Sequence, residues 1–215
     1  MPGMSTDGAW VEQLTVYRAV ARAVADLVAA IDDPGAPGLG EWTVVELAGH
    51  TMRALTTVER YLAAAPVPGP ELEDAAAYVA RYLEERRKDP AMDVSVAARG
   101  REEAAQLGDD PATVFGAAVT RVAGLVEAAK PDLVIPTAFA SIRLGDYLRT
   151  RVMELVLHGL DLAAAVGVSW RPPPEALLDT LGLLSEVAVR TGRGEDLARL
   201  LGGRASPHDV LPIIR

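Results

Sequence analysis

LGDYLRTRVMELVLHGLDLAAAVG, residues 144–167, is an apolar segment with a polar stripe cut into it. Tyr147, Arg151, Glu154, His158 and Asp161 follow one another at spacings of four and three, and at roughly 100° per residue they share one stripe of an α-helix. Leu144, Leu148, Leu155, Leu162 and Val166 fall on a second stripe, a face to bury against other helices. The polar stripe runs along the edge of that face. A carboxylate and an imidazole one turn apart there, Glu154 and His158, can converge on one ion. A Glu and a His at this spacing also form ordinary solvated pairs, so the spacing alone leaves both readings open.

Composition points the same way on fold. The chain has 215 residues, half of them hydrophobic and only 5% aromatic, which suits one substantial core in a single domain. Alanine and leucine dominate, with Glu and Arg beside them, and these are strong helix formers. A net charge of −9 with no basic patch opposes nucleic-acid binding, whose affinity comes largely from phosphate contacts. No run of about 18 apolar residues is present and the first residues lack a signal-peptide pattern, so the expectation is a cytoplasmic protein with no membrane partner. There is no cysteine. Disulfides, cysteine-ligated zinc and a thiol nucleophile of the chain's own are thereby excluded, and thiol chemistry would need an external thiol.

Breaks in the pattern divide the chain into helices. An amphipathic stretch from about Asp7 to Ile31 ends at DDPGAPGLG. A second helix begins at Trp42, where Thr43 and Glu46 make a capping box and Trp42 with Leu47 a hydrophobic staple, and it runs through Tyr61. Residues 71–107 carry the EERRK and REE charge clusters and predict a solvated, less regular helical stretch, interrupted near Asp89 and Pro90. Pro111 opens a further helix to Lys130, and PDLVIPTAF reads as a loop leading to the striped helix. Beyond SWRPPP, a helix from Glu175 to Arg190, a short one ending at Gly202 and an irregular SPHDVLPIIR complete the chain.

Two further histidines need a place. On the second helix, Val44, Leu47, Thr51, Leu55, Val58 and Leu62 define the buried face, and His50 lies at its margin beside Ala54 and Tyr61. It can look into a cleft, or be a core-edge histidine satisfied by a neighbour. His208, in a Pro-containing tail, carries no assigned role.

EWTVVELAGH, residues 41–50, together with RVMELVLHGLDLAAAVG, residues 151–167, resembles the metal-binding N-terminal domain of mycothiol-dependent maleylpyruvate isomerases, within the DinB-like superfamily. The matching features are the Trp-Thr-Val helix start, the histidine several residues on, and the late Glu-x-x-x-His helix continuing into His-x-x-Asp-Leu-Ala. The resemblance implies an all-α DinB-like four-helix bundle over about residues 1–168, with additional short helices, and a small C-terminal helical extension, 169–215, packed on it. It also implies a divalent metal ion, zinc by preference, held by His50, Glu154 and His158.

Two imidazoles and one carboxylate leave a tetrahedral ion one open position, as in catalytic rather than structural zinc sites. The implied cofactor for that position is mycothiol, whose coordinated thiol loses its proton. The implied reaction is thiolate addition to a cis double bond, rotation about the resulting single bond and elimination to the trans isomer. Around the ion, Asp161 would accept the free N–H of His158, Arg151 would neutralise Glu154 or clamp a substrate carboxylate, and Tyr147 would cap the cavity. Solvent-facing Asp161 and a purely structural Arg151 pair are the competing readings. The full isomerase also has a distinct C-terminal domain, which the 45 or so residues after the bundle do not match, so a related thiol S-transferase and a non-catalytic metal- or ligand-binding bundle both remain open.

Overall fold

The computed structural model describes residues 6–65, 67–89, 91–210 and 212. Four long helices form an all-α bundle: α1 (Thr6–Ala29), α2 (Val44–Leu62), α5 (Pro111–Glu127) and α6 (Leu144–Val166). Their apolar stripes meet in one core, where Tyr17, Val24, Leu47, Leu55, Phe115 and Leu155 are almost fully buried. Burial on this scale is the main driving force for such a bundle. On α6, Leu144, Leu148, Leu155 and Leu162 are buried as the periodicity predicts, while Val166, at the last turn, is only half-buried.

The ends of α2 and α5 are specified locally. Thr43 caps α2: the Glu46 N–H donates to its hydroxyl and the Thr43 N–H donates at 2.9 Å to the Glu46 carboxylate. Asp110 caps α5 by accepting from the Thr113 N–H, with Pro111 in the first turn where it sacrifices no hydrogen bond. Gly167 ends α6 at φ 76°, a left-handed conformation that favours glycine.

The structure corrects two local expectations and agrees with a third. Residues 134–143 are not wholly loop: β1 (Val134–Ile135) pairs antiparallel with β2 (Ile142–Arg143), burying Ile135 and Ile142 while satisfying their backbone groups. As the interruption near Asp89 and Pro90 predicts, the helical stretch 71–107 divides into two helices, α3 (Ala75–Lys88) and α4 (Ala91–Leu107), with Asp89 extended between them and Pro90 outside the described residues. Part of the tail is also regular, since α9 (Pro207–Val210) follows α7 (Pro174–Arg190) and α8 (Gly194–Leu201). Residues 211 and 213–215 of that tail lie outside the described residues.

These added helices cover the bundle in two places. α3, α6 and α7 share a small second core of Val79, Leu83, Met153, Leu183 and Val187. α4 crosses α2 so closely that a Cβ at Gly49 would lie 2.4 Å from the Ala104 backbone nitrogen. Only glycine allows that approach.

Candidate metal centre

α2 and α6 face each other along the bundle, and the margin of one meets the polar stripe of the other. His50, three residues after the buried Leu47, lies with its ring centroid 4.6 Å from that of His158, edge to face. The Trp42 ring covers the other side of His50 at 4.5 Å. His158 Nε2 is 3.1 Å from Glu154 Oε2, and its Nδ1 is 3.3 Å from Asp161 Oδ2. One ligand atom from each of His50, Glu154 and His158 falls within a mutual separation of 4.8 Å. Ligands on a tetrahedral zinc lie about 3.4 Å apart for bonds of about 2.1 Å, so small side-chain rotations suffice.

The residues fit a metal on a further count. His50 Nδ1 is buried with no hydrogen-bond partner. A buried, unpaired ring nitrogen costs free energy unless something occupies it. A borderline-soft divalent cation matches a donor set of two imidazoles and one carboxylate.

Electrostatics divide the two histidines. Burial, and then the nearby charge of His158, push His50 down to about 3, so it is neutral in ordinary buffers. Burial alone would lower His158 as well, but its hydrogen bonds to Asp161 and Glu154 outweigh that and raise it to about 9. Burial works against the charged form of Glu154, yet the His158 hydrogen bond and the Arg151 guanidinium hold it well below the usual carboxylate range. Without an ion, His158 is therefore an imidazolium between two carboxylates.

Each residue of the α6 stripe has a distinct environment. Arg151 stacks over the Tyr147 ring at 4.7 Å, donates to Thr150 and reaches within 4.0 Å of Glu154. Tyr147 is buried beneath it, with its hydroxyl donating to Thr57 at 2.8 Å, so its polar end is committed within the bundle. Asp161 meets His158, as above.

These groups stand on the wall of a cavity of about 630 Å³. Tyr61, Tyr78, Tyr82 and Phe139 supply much of its apolar lining, and Arg53 and Arg99 are among the polar lining residues that sequence reasoning missed. Arg53 had a signal, lying three residues after His50 on the same helix margin. Arg99 had none, because the weakly patterned α4 does not announce which side meets α2.

Comparison with known proteins adds the lineage of this arrangement. Residues 17–163 match the mycothiol maleylpyruvate isomerase N-terminal domain. The chain belongs to that family, within the DinB-like superfamily. No curated protein and no solved structure matches it. The stretch shared with the mycothiol maleylpyruvate isomerase domain runs from within α1 to near the end of α6 and includes the candidate triad of His50, Glu154 and His158. α7 to α9 lie beyond it. Among the described residues, no helix is long and apolar enough to cross a membrane.

The protonation pattern makes a measurable prediction for this family member. Of the triad, only His158 carries a proton that an ion must displace at pH 7, because His50 is already neutral and Glu154 already ionised. Metal uptake should release about one proton per ion. Apparent affinity should then rise about tenfold per pH unit and level off near pH 9, the value to which His158 is raised. Calorimetry in buffers of different ionisation enthalpy measures the released proton directly; binding with no proton release contradicts the assignment.

Proposed function

We propose that this protein is a metal-dependent enzyme that uses a low-molecular-weight thiol, mycothiol in the first instance, as a maleylpyruvate isomerase or a related thiol S-transferase acting on a small molecule. The observation that carries the reading is the convergence of His50, Glu154 and His158, from two helices, on the wall of one cavity. Membership of a mycothiol-related family and the absence of cysteine from the chain support it. The proposal includes a cytoplasmic location, zinc as the ion, and a division into a bundle over 1–168 and an extension over 169–215.

In this reading His50, Glu154 and His158 hold the ion and leave one position open. Bound there, the ion supplies the positive charge that keeps an added thiol as its thiolate at neutral pH. Asp161 accepts the Nδ1–H of His158, which presents Nε2 on the side of Glu154 and sets the tautomer. Arg151 is held over Tyr147 and keeps Glu154 ionised, so that Glu154 stays a ligand. The aromatic wall of Tyr61, Tyr78 and Phe139 limits water around the reacting groups.

The deciding experiment replaces the ion with cobalt(II). Adding mycothiol should produce a sulfur-to-cobalt charge-transfer band, turnover of a cis-enoyl-pyruvate or another electrophile should require the thiol, and His50→Ala should abolish both. A cobalt centre that takes no thiol, across the common bacterial thiols, rejects the thiol-dependent reading and leaves a non-catalytic metal- or ligand-binding bundle.

A further inference from the structure

The charge balance of the cavity is uneven, and the imbalance is local. Five arginines line it: Arg53, Arg60, Arg86, Arg99 and Arg151. Two have carboxylates of their own. Arg86 is bound by Asp93 through two hydrogen bonds, at 2.5 and 3.0 Å, and Arg151 faces Glu154. Of the remaining three, Arg53 and Arg60 share a single carboxylate. Glu103 stands 3.7 Å from Arg53 and 3.6 Å from Arg60, and also accepts from the Thr56 hydroxyl. Arg99 has no carboxylate within 4.0 Å among the described residues; its terminal nitrogen donates to the Ser95 hydroxyl, and its Nε is buried with no partner at all.

A chain of net charge −9 thus gathers a positive surplus at one wall of its cavity. The position of that wall matters. Arg53 follows His50 by one turn of α2, and its side chain is only 18% exposed. α4 brings Arg99 to the same place, because the next residue, Gly100, packs so closely that a Cβ there would be 3.4 Å from His50 Cβ and 3.3 Å from the Trp42 ring. The two guanidiniums feel one another: burial and then the charge of Arg99 lower Arg53. Like charges kept together in a half-buried wall, with a donor unfilled, are relieved by an anion with two oxygens, the partner that the planar guanidinium fork matches.

We propose that Arg53 and Arg99 form an oxoanion subsite on the cavity wall beside the candidate metal centre, and that it holds a carboxylate of the compound on which the protein acts. The inference rests on the proposed enzymatic reading only for the identity of that compound; the subsite itself needs no bound ion. It orients a carboxylate-bearing molecule with its other end toward His50, Glu154 and His158, and it makes neutral electrophiles poor ligands.

The test uses succinate as the anionic probe and succinamide as its neutral counterpart. Both are titrated calorimetrically into purified protein of measured metal content, and into the same protein after chelator treatment. Succinate should bind and succinamide should not. Arg99→Gln and Arg53→Gln should each weaken succinate at least about tenfold, the scale of a lost charge-assisted hydrogen bond, with metal content and melting temperature unchanged. Arg99→Gln is the variant least able to disturb folding, since among the described residues Ser95 is the only hydrogen-bond partner it loses. Arginine-dependent succinate binding in protein that takes up no metal supports the subsite while overturning the metal reading. Wild-type protein that takes up no succinate, equal binding of succinamide, or succinate binding that disappears with the ion but ignores both substitutions overturns the subsite.

Discussion

Alanine at both Glu154 and His158 is expected to leave a folded protein that holds no stoichiometric metal, where the unsubstituted chain is expected to hold about one divalent ion. The double substitution is the informative one. Removing Glu154 alone would leave Arg151 and an imidazolium facing each other in a half-buried wall, and the damage would be electrostatic as much as coordinative. With both gone, neither bundle core loses a member, because the buried clusters consist of other residues. Elemental analysis gives the metal content, and thermal melts with and without chelator give the coupling. An ion that binds only the folded state adds about 2.7 kcal/mol at a hundredfold excess over its dissociation constant, so chelation should lower the melting temperature of the parent and leave the variant's unchanged. Stoichiometric metal surviving in the variant would falsify the triad.

The second large effect is mechanical. Gly49→Ala is expected to destabilise the protein by about 1–3 kcal/mol, the usual cost of forcing an atom into a filled site. For a chain of this size that is roughly 2–4 °C of melting temperature per kcal/mol. Helix propensity alone predicts the opposite sign, since alanine in place of an interior glycine usually adds about 0.5–1 kcal/mol. The conflict is resolved by distance. A Cβ at 49 meets the Ala104 backbone at 2.4 and 2.6 Å, and backbone cannot rotate away as a side chain can. Gly116→Ala is the matched control, for a Cβ there meets nothing within 4 Å, and that variant should gain stability. Because α4 also carries Gly100 and Arg99 to the cavity, Gly49→Ala should weaken the succinate binding predicted for Arg99, whereas Gly116→Ala should not. A Gly49→Ala protein as stable as the parent would mean that α4 does not cross α2 this closely.

How far the sequence was legible varied with the range of the interactions involved. The start of α2 was readable because a capping box lies within four consecutive residues, Thr43 to Glu46. The α6 stripe was readable because helical period is a property of one segment, and Leu144, Leu148, Leu155 and Leu162 are buried as that period requires. β1 and β2 were not readable, since two residues in each strand are too few to display an alternation. The division between α3 and α4 was readable where Asp89 and Pro90 break the helical pattern, although charge clusters mask the apolar period on both sides.

By itself, then, the sequence determined the helical class, the caps, the buried stripe of α6 and the shared face of Glu154, His158 and Asp161, all of which follow from neighbours within a turn or two. Resemblance carried His50 into the same set, but no local rule connects residue 50 with residues 154 and 158. Only the packing of α2 against α6 brings those rings to 4.6 Å and leaves His50 Nδ1 without a partner. The charge state of His50 was decided there too: burial, and then the charge of His158 on the facing helix, lower it, whereas His158 is raised against its own burial by Asp161 and Glu154 of the same helix. Arg99 is the clearest case. Its place beside Arg53 is set by glycines at 49 and 100 that let α4 lie against α2, a contact between surfaces that no reading of either helix alone could contain.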